Sequence, residues 1–191
     1  MAHRSTPRRP RASQPHAVRD AAAFSPERLA RDFGAAAPLC RQGVAALVLA
    51  LQGAGERGRP LTRRALAGWR ERYGAVCGYD LEECAPRGPQ AALAAAFGLP
   101  PVTSGTNGAL LLFAVHSYFA LLLQLLCLDV LAASRGEPSP VARLRGPNAP
   151  GEVQRLLEEL ARGALFPALG VEDLLEGGIF SWYAEAQTPG V

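Results

Sequence analysis

The stretch that decides the fold is Ala109–Ala133, ALLLFAVHSYFALLLQLLCLDVLAA. Within it, Leu110–Leu128 is 19 residues long, holds nine leucines and carries no charge. That length and apolarity are enough to span a bilayer. The interior pattern points to a different solvent. At 100° per residue, His116, Ser117, Ala120, Gln124 and Cys127 fall within a sector of about 100°, and the rest of the circumference is Leu, Phe, Val and Tyr. A narrow polar seam in a broad apolar surround suits the centre of a soluble protein, where the seam supplies hydrogen-bond partners to neighbouring segments. In lipid, His116 and Gln124 would go unpartnered. Asp129, within a turn of the edge, would cost about 2.5–3.5 kcal/mol if drawn to the bilayer centre. The pattern predicts a buried core helix in an otherwise helical protein. A small single-pass or membrane-associated protein built on Leu110–Leu128 is the alternative.

Outward from this helix the chain reads as further helices joined by glycine and proline. Ser25-Pro26-Glu27 is an N-cap serine followed by proline at the first helical position, and the helix it opens stops at Gly34. Residues 39–52 form a second apolar segment that runs into the glycine-rich GAGERG. From Pro60 a helix reaches Tyr73, with Leu61, Ala65, Leu66 and Trp69 expected on one face and Gly74 as its stop. PRGP at 86–89 is a breaker. Gln90–Phe97 is an Ala-rich helix closed by Gly98, and residues 100–108 are a loop. Beyond the long helix a Gly- and Pro-rich loop is expected from Gly136 to Gly151. Pro150 then opens a helix with Val153, Leu156, Leu157 and Leu160 on its apolar face, ended by Gly163. Val171–Glu176 reads as a helical turn, and IFSWYAEA at the end as a strand or extended segment. No alternating apolar run is long enough for a sheet. The expected class is all-α, a bundle-like helical region over residues 25–191 around one long Leu-rich helix, preceded by a disordered basic arm at residues 1–24.

Charge divides the chain in the same way. All 20 basic residues are arginine, with no lysine anywhere. That excludes Schiff-base chemistry, a P-loop NTPase and a protein kinase, each of which needs an ammonium group. Residues 1–20 hold five arginines against Asp20, a balance of +4, and the remaining chain holds 15 arginines against 16 acids, a balance of −1. The arm's prolines, Pro7, Pro10 and Pro15, prevent an amphipathic targeting helix, and no apolar stretch marks a secretory signal. On this reading, phosphate contacts are weak and come from the arm, through Arg4, Arg8, Arg9 and Arg11. About four such contacts would give a salt slope near −3.6.

Chemistry-bearing groups are sparse. Cys40, Cys77, Cys84 and Cys127 are too scattered for a zinc site, do not cluster with His3, His16 or His116, and read as reduced thiols of a cytoplasmic protein. Gly53-x-Gly55-x-x-Gly58 has the spacing of a nucleotide or S-adenosylmethionine loop. However, the next helix starts at Pro60, after the third glycine, and the preceding run is Ala- and Leu-rich. It is read as a helix–helix connection, not as a cofactor site. His116 has no nucleophile with an acid partner beside it. No catalytic, cofactor or metal residue is assigned. His116, Ser117 and Gln124 are assigned a structural role as the polar seam of a buried helix.

Three blocks in order carry a resemblance. ALLLFAVHSYFALLLQLLCLDVL resembles the Phe-x-x-His-Thr-Tyr helix in the N-terminal part of large N6-adenine DNA methyltransferases of restriction–modification systems, which often join methylase to nuclease. Here Ser117 stands where the family has Thr, and Gln124 where it often has Lys. ALAGWRERYGAVCGYDL is similar to the family's Trp-containing helix, and LARGALFPALGVEDLLEGGIFSWYAEA to its acidic-glycine loop and Phe-Ser-Trp-Tyr stretch. The likeness covers about residues 60–186. It implies a helical region that packs on an S-adenosylmethionine-dependent core and helps to place it on DNA. The family's adenine-binding loop is Asn/Asp-Pro-Pro-Tyr/Phe, whose polar group holds the amine while the ring stacks on the flipped base. No such tetrapeptide occurs here; Gly98-Leu99-Pro100-Pro101 lacks both the polar residue and the aromatic. The expectation is a truncated or separately encoded piece whose catalytic core would follow residue 191. By itself it would be inactive and bind no cofactor. Its partners would be that core, DNA through the full assembly, or a second copy of itself.

Overall fold

A computed structural model of the chain describes residues 25–56, 59–74, 76, 89–100, 108–145, 149–172, 174 and 180–186. These residues are helical, with no strand among them. Helix α1 spans Pro26–Phe33. Ser25 has extended backbone and its hydroxyl accepts from the Arg28 amide at 3.3 Å, satisfying one of the open amides of the first turn. A bend of 51° leads into α2, Pro38–Glu56. Its buried Cys40, Val44, Val48 and Leu51 recur at helical spacing and lie against α5, Gly108–Arg135.

Helix α3, Pro60–Tyr73, and α4, Pro89–Ala96, add to the first core, which Trp182 and Tyr183 also join. Gly98 follows α4 with φ +67°, a backbone state that glycine adopts freely. Near its start α5 is enclosed: Leu111, Leu112, Phe113, Ala114 and Val115 are consecutive and all buried. Five successive residues cover every direction around a helix, so protein surrounds this stretch on all sides. Further along, Leu128 joins a second core with Leu156, Leu160, Phe166 and Leu169. These come from α6, Ala149–Ala161, and the short α7, Leu165–Ala168, with the turn that follows it. A final turn, α8, covers Tyr183–Ala186. One helix thus serves as the shared spine of two apolar clusters.

Several expectations need correction. The extended segment at the C-terminus is a helical turn at Tyr183–Ala186, where Trp182 and Tyr183 both reach α5. Successive strand residues point to opposite faces, whereas successive helical residues lie about 100° apart and can share one. Helix α2 does not stop at Gln52 but continues through Gly53 and Gly55 to Glu56. The loop expected over 136–151 contains a 3-10 helix, Pro140–Arg145, packed on α5 and α6. Leu61 is 58% exposed. The buried face of α3 is centred on Thr62, Ala65 and Trp69, which leaves Leu61 about 75° from its middle. Val153 is likewise exposed, while Leu156 and Leu160 carry the buried face of α6. The arm at residues 1–24, Cys77, Cys84, Gly58, the breaker at 86–88, the loop at 101–107 and half of Val171–Glu176 lie outside the described residues.

Candidate functional site: the polar seam of the long helix

Each seam residue on α5 accepts a hydrogen bond from an aromatic side chain of another segment. Trp69 on α3 donates its indole Nε1–H to His116 Nδ1 at 3.0 Å. Trp182 donates Nε1–H to Ser117 Oγ at 2.8 Å. The Tyr183 hydroxyl donates to Gln124 Oε1 at a longer 3.4 Å. Trp69 and Ser117 are completely buried, and Trp182 and Tyr183 nearly so. Phe113 packs between the two tryptophans, with ring centroids 5.7 Å from each. Tyr73 meets the edge of His116 at 6.2 Å, and Phe180 stacks on Phe113. A buried indole must place its one N–H. The uncharged acceptors of α5 are where the two tryptophans do so.

The geometry sets the state of His116. An indole N–H only donates, so Nδ1 must accept and the ring proton sits on Nε2. Burial lowers the His116 pKa from its ordinary value, so the ring is neutral at pH 7. Burial likewise pushes the Tyr183 hydroxyl up to about 12. Among the described residues no carboxylate bonds to His116 or Ser117, and no group of His, Cys, Asp or Glu is placed to hold a metal. With Nδ1 taken by the Trp69 N–H and Nε2 carrying the ring proton, the imidazole has no free lone pair with which to draw a proton from Ser117. What the arrangement does is fix α3 and the 180–186 segment against α5.

A second link ties α1 and α2 to the same helix. The Tyr118 hydroxyl donates to the Phe33 carbonyl at 3.4 Å and also meets the Cys40 thiol. Burial raises both the Cys40 and the Tyr118 pKa, so Cys40 is an inert buried thiol. Gly53 and Gly55 lie inside α2, so they form no open phosphate loop. Arg4, Arg8, Arg9 and Arg11 lie outside the described residues. Sequence reasoning found the three acceptors and not their donors. The signal was present: two tryptophans in apolar blocks, each with one N–H that burial obliges to find a partner. No protein-family model, curated protein or solved structure matches the chain.

Proposed function

We propose that this chain is the non-catalytic N-terminal helical portion of a DNA N6-adenine methyltransferase of a restriction–modification system, acting in the cytoplasm by packing on a separate S-adenosylmethionine-dependent core. The observation that supports this reading is the convergence of the three sequence blocks that resemble the family. The Trp block reaches His116 through Trp69, and the Phe-Ser-Trp-Tyr block reaches Ser117 and Gln124 through Trp182 and Tyr183. The blocks that carry the resemblance thus meet on one seam of α5. On this reading catalysis belongs to the partner, since the adenine-binding tetrapeptide does not occur in the chain. The test is methyl transfer from labelled S-adenosylmethionine to plasmid DNA. The chain alone should transfer nothing. The chain mixed with the polypeptide encoded immediately downstream should form a complex and transfer label. Activity of the chain alone, or failure of the two polypeptides to associate, overturns the proposal.

A membrane reading draws on one specific observation. Helix α5 is 28 residues long with a mean hydropathy of 2.1 over its most apolar window, of which 39% is buried. Against it stands the enclosure of Leu111–Val115 by protein and the occupation of the seam by side chains. Membrane fractionation of cells expressing the chain separates the two.

A further inference from the structure

The seam does not account for a cleft on the outer side of α3, about 350 Å³ in volume, between that helix and the 180–186 segment. Arg64, Gly68 and Arg72 line it from α3, and Ser181 and Trp182 from the other segment. A side chain at Gly68 would meet nothing within 4 Å, so the floor of the cleft is open. The near-neutral body conceals a local excess here: α3 and its cap carry Arg59, Arg63, Arg64, Arg70 and Arg72 against the single acid Glu71. Elsewhere Arg28, Arg31, Arg143 and Arg155 each sit against a carboxylate, and Arg41 and Arg162 donate to backbone carbonyls. Arg64 and Arg72 are exposed and make no ion pair or hydrogen bond among the described residues. Two uncompensated guanidinium forks facing one open cleft form a local positive field suited to an anion.

The spacing suits a polyanion. Eight residues of α-helix separate the two Cα atoms by about 12 Å, which lets the two side chains each meet a separate phosphate along one backbone. Trp182 is only 2% exposed, with its face already against Phe113, so no base can stack on it. The contact is therefore with phosphodiester and not with bases, and it carries no sequence preference. We infer that the α3 cleft is a phosphate-backbone site for duplex DNA, with Arg64 and Arg72 each contacting one phosphate. The choice of duplex DNA as the polyanion rests on the proposed function, and the cleft itself does not. Part of the DNA affinity then lies on the helical body and not in the arm.

The experiment measures binding of the full chain to a random-sequence duplex across a salt series. Wild type is compared with Arg64→Gln/Arg72→Gln, with Arg64→Lys/Arg72→Lys, and with Arg28→Gln/Arg31→Gln as a charge-matched control on α1. Removal of two phosphate contacts should reduce the steepness of log affinity against log salt by about 1.8. The lysine pair should keep the wild-type slope, and so should the α1 control. An unchanged slope in the glutamine pair, or no duplex binding by the wild type, overturns the inference. So does a glutamine pair that loses only its binding to vesicles containing phosphatidylserine, which would make the ligand a lipid surface. A slope change without methyl transfer in the complementation assay would defeat the functional reading and leave the cleft standing. Full complementation with an unchanged slope would do the reverse.

Discussion

Replacing Ser117 by alanine tests the central joint of the fold. Ser117 is fully buried and its Oγ receives the Trp182 indole N–H at 2.8 Å, while Trp182 itself is 2% exposed. Ser117→Ala leaves that N–H in a buried, apolar surround without its protein acceptor. A buried donor left unsatisfied costs about 1–3 kcal/mol. The alanine gains slightly in helix propensity, by a few tenths of a kcal/mol, so the donor dominates. For a chain of this size about 2 kcal/mol lowers Tm by roughly 4–8 °C. Trp182→Phe removes the donor from the other side. It costs the same bond and a cavity of roughly 40 Å³, near 1 kcal/mol at about 24 cal/mol per Å³. The double variant should cost less than the sum of the two by about 1 kcal/mol, because the bond can be lost only once. Urea unfolding followed by circular dichroism reads all three variants without relying on the deleted fluorophore. A Ser117→Ala variant as stable as wild type, or strictly additive variants, would mean that Trp182 is not seated on α5.

Other outcomes follow from the same packing. His116 has a folded pKa depressed below its ordinary 6.5, so the unfolded chain binds the extra proton first. Its contribution to stability is complete above about pH 6.5 and is lost as pH falls from there toward the depressed value; His116→Gln, which keeps an acceptor for Trp69, should flatten that decline in pH-dependent urea melts. Gly53→Ala meets nothing within 4 Å and should stabilise α2 by about 0.5–1 kcal/mol. Gly43→Ala would bring its Cβ to 2.9 Å from the Tyr118 ring and should destabilise by up to about 2 kcal/mol, the same melts deciding both. Leu123 is 46% exposed on α5. Leu123→Arg should leave the fold within about 0.5 kcal/mol, whereas an Arg at mid-bilayer costs about 2.5–3.5 kcal/mol; loss of membrane partitioning in fractionation would refute the soluble reading.

How much of this was legible in the chain depends on which interactions are local. Caps and stops are local, so Ser25, Gly34, Gly74, Gly98 and Gly163 marked their helix ends correctly. The seam acceptors were legible because 3.6-residue periodicity alone brings His116, Ser117 and Gln124 to one side. Their donors were not, since Trp69 lies 47 residues from His116 and Trp182 lies 65 from Ser117. No local pattern encodes such a pairing. The last turn was misread because aromatic residues in succession carry strand propensity, which tertiary contact overrides. The run through Gly53 and Gly55 was misread because glycine weakens a helix by only about 1 kcal/mol per residue. Packing of Val48 and Leu51 against α5 is enough to hold it.

The seam also explains how a helix so rich in leucine specifies one arrangement. Leucine contacts are nearly interchangeable, and a neighbour could slide along α5 by a turn, about 5.4 Å, with little change in buried apolar area. Slippage by a turn would strand three acceptors and three donors, each buried or half-buried. At about 1–3 kcal/mol for each unsatisfied buried group, such a slip costs more than the repacking it could recover. The chemistry divides the work: His116, Ser117 and Gln124 act only as acceptors toward their partners, and Trp69, Trp182 and Tyr183 bring large apolar area with a single donor each. Burial of the rings supplies the driving force, and the donor atom fixes the register. Helix α5 is therefore a ruler as well as a core. The segments it positions, α3 and residues 180–186, are the two that form the walls of the arginine cleft.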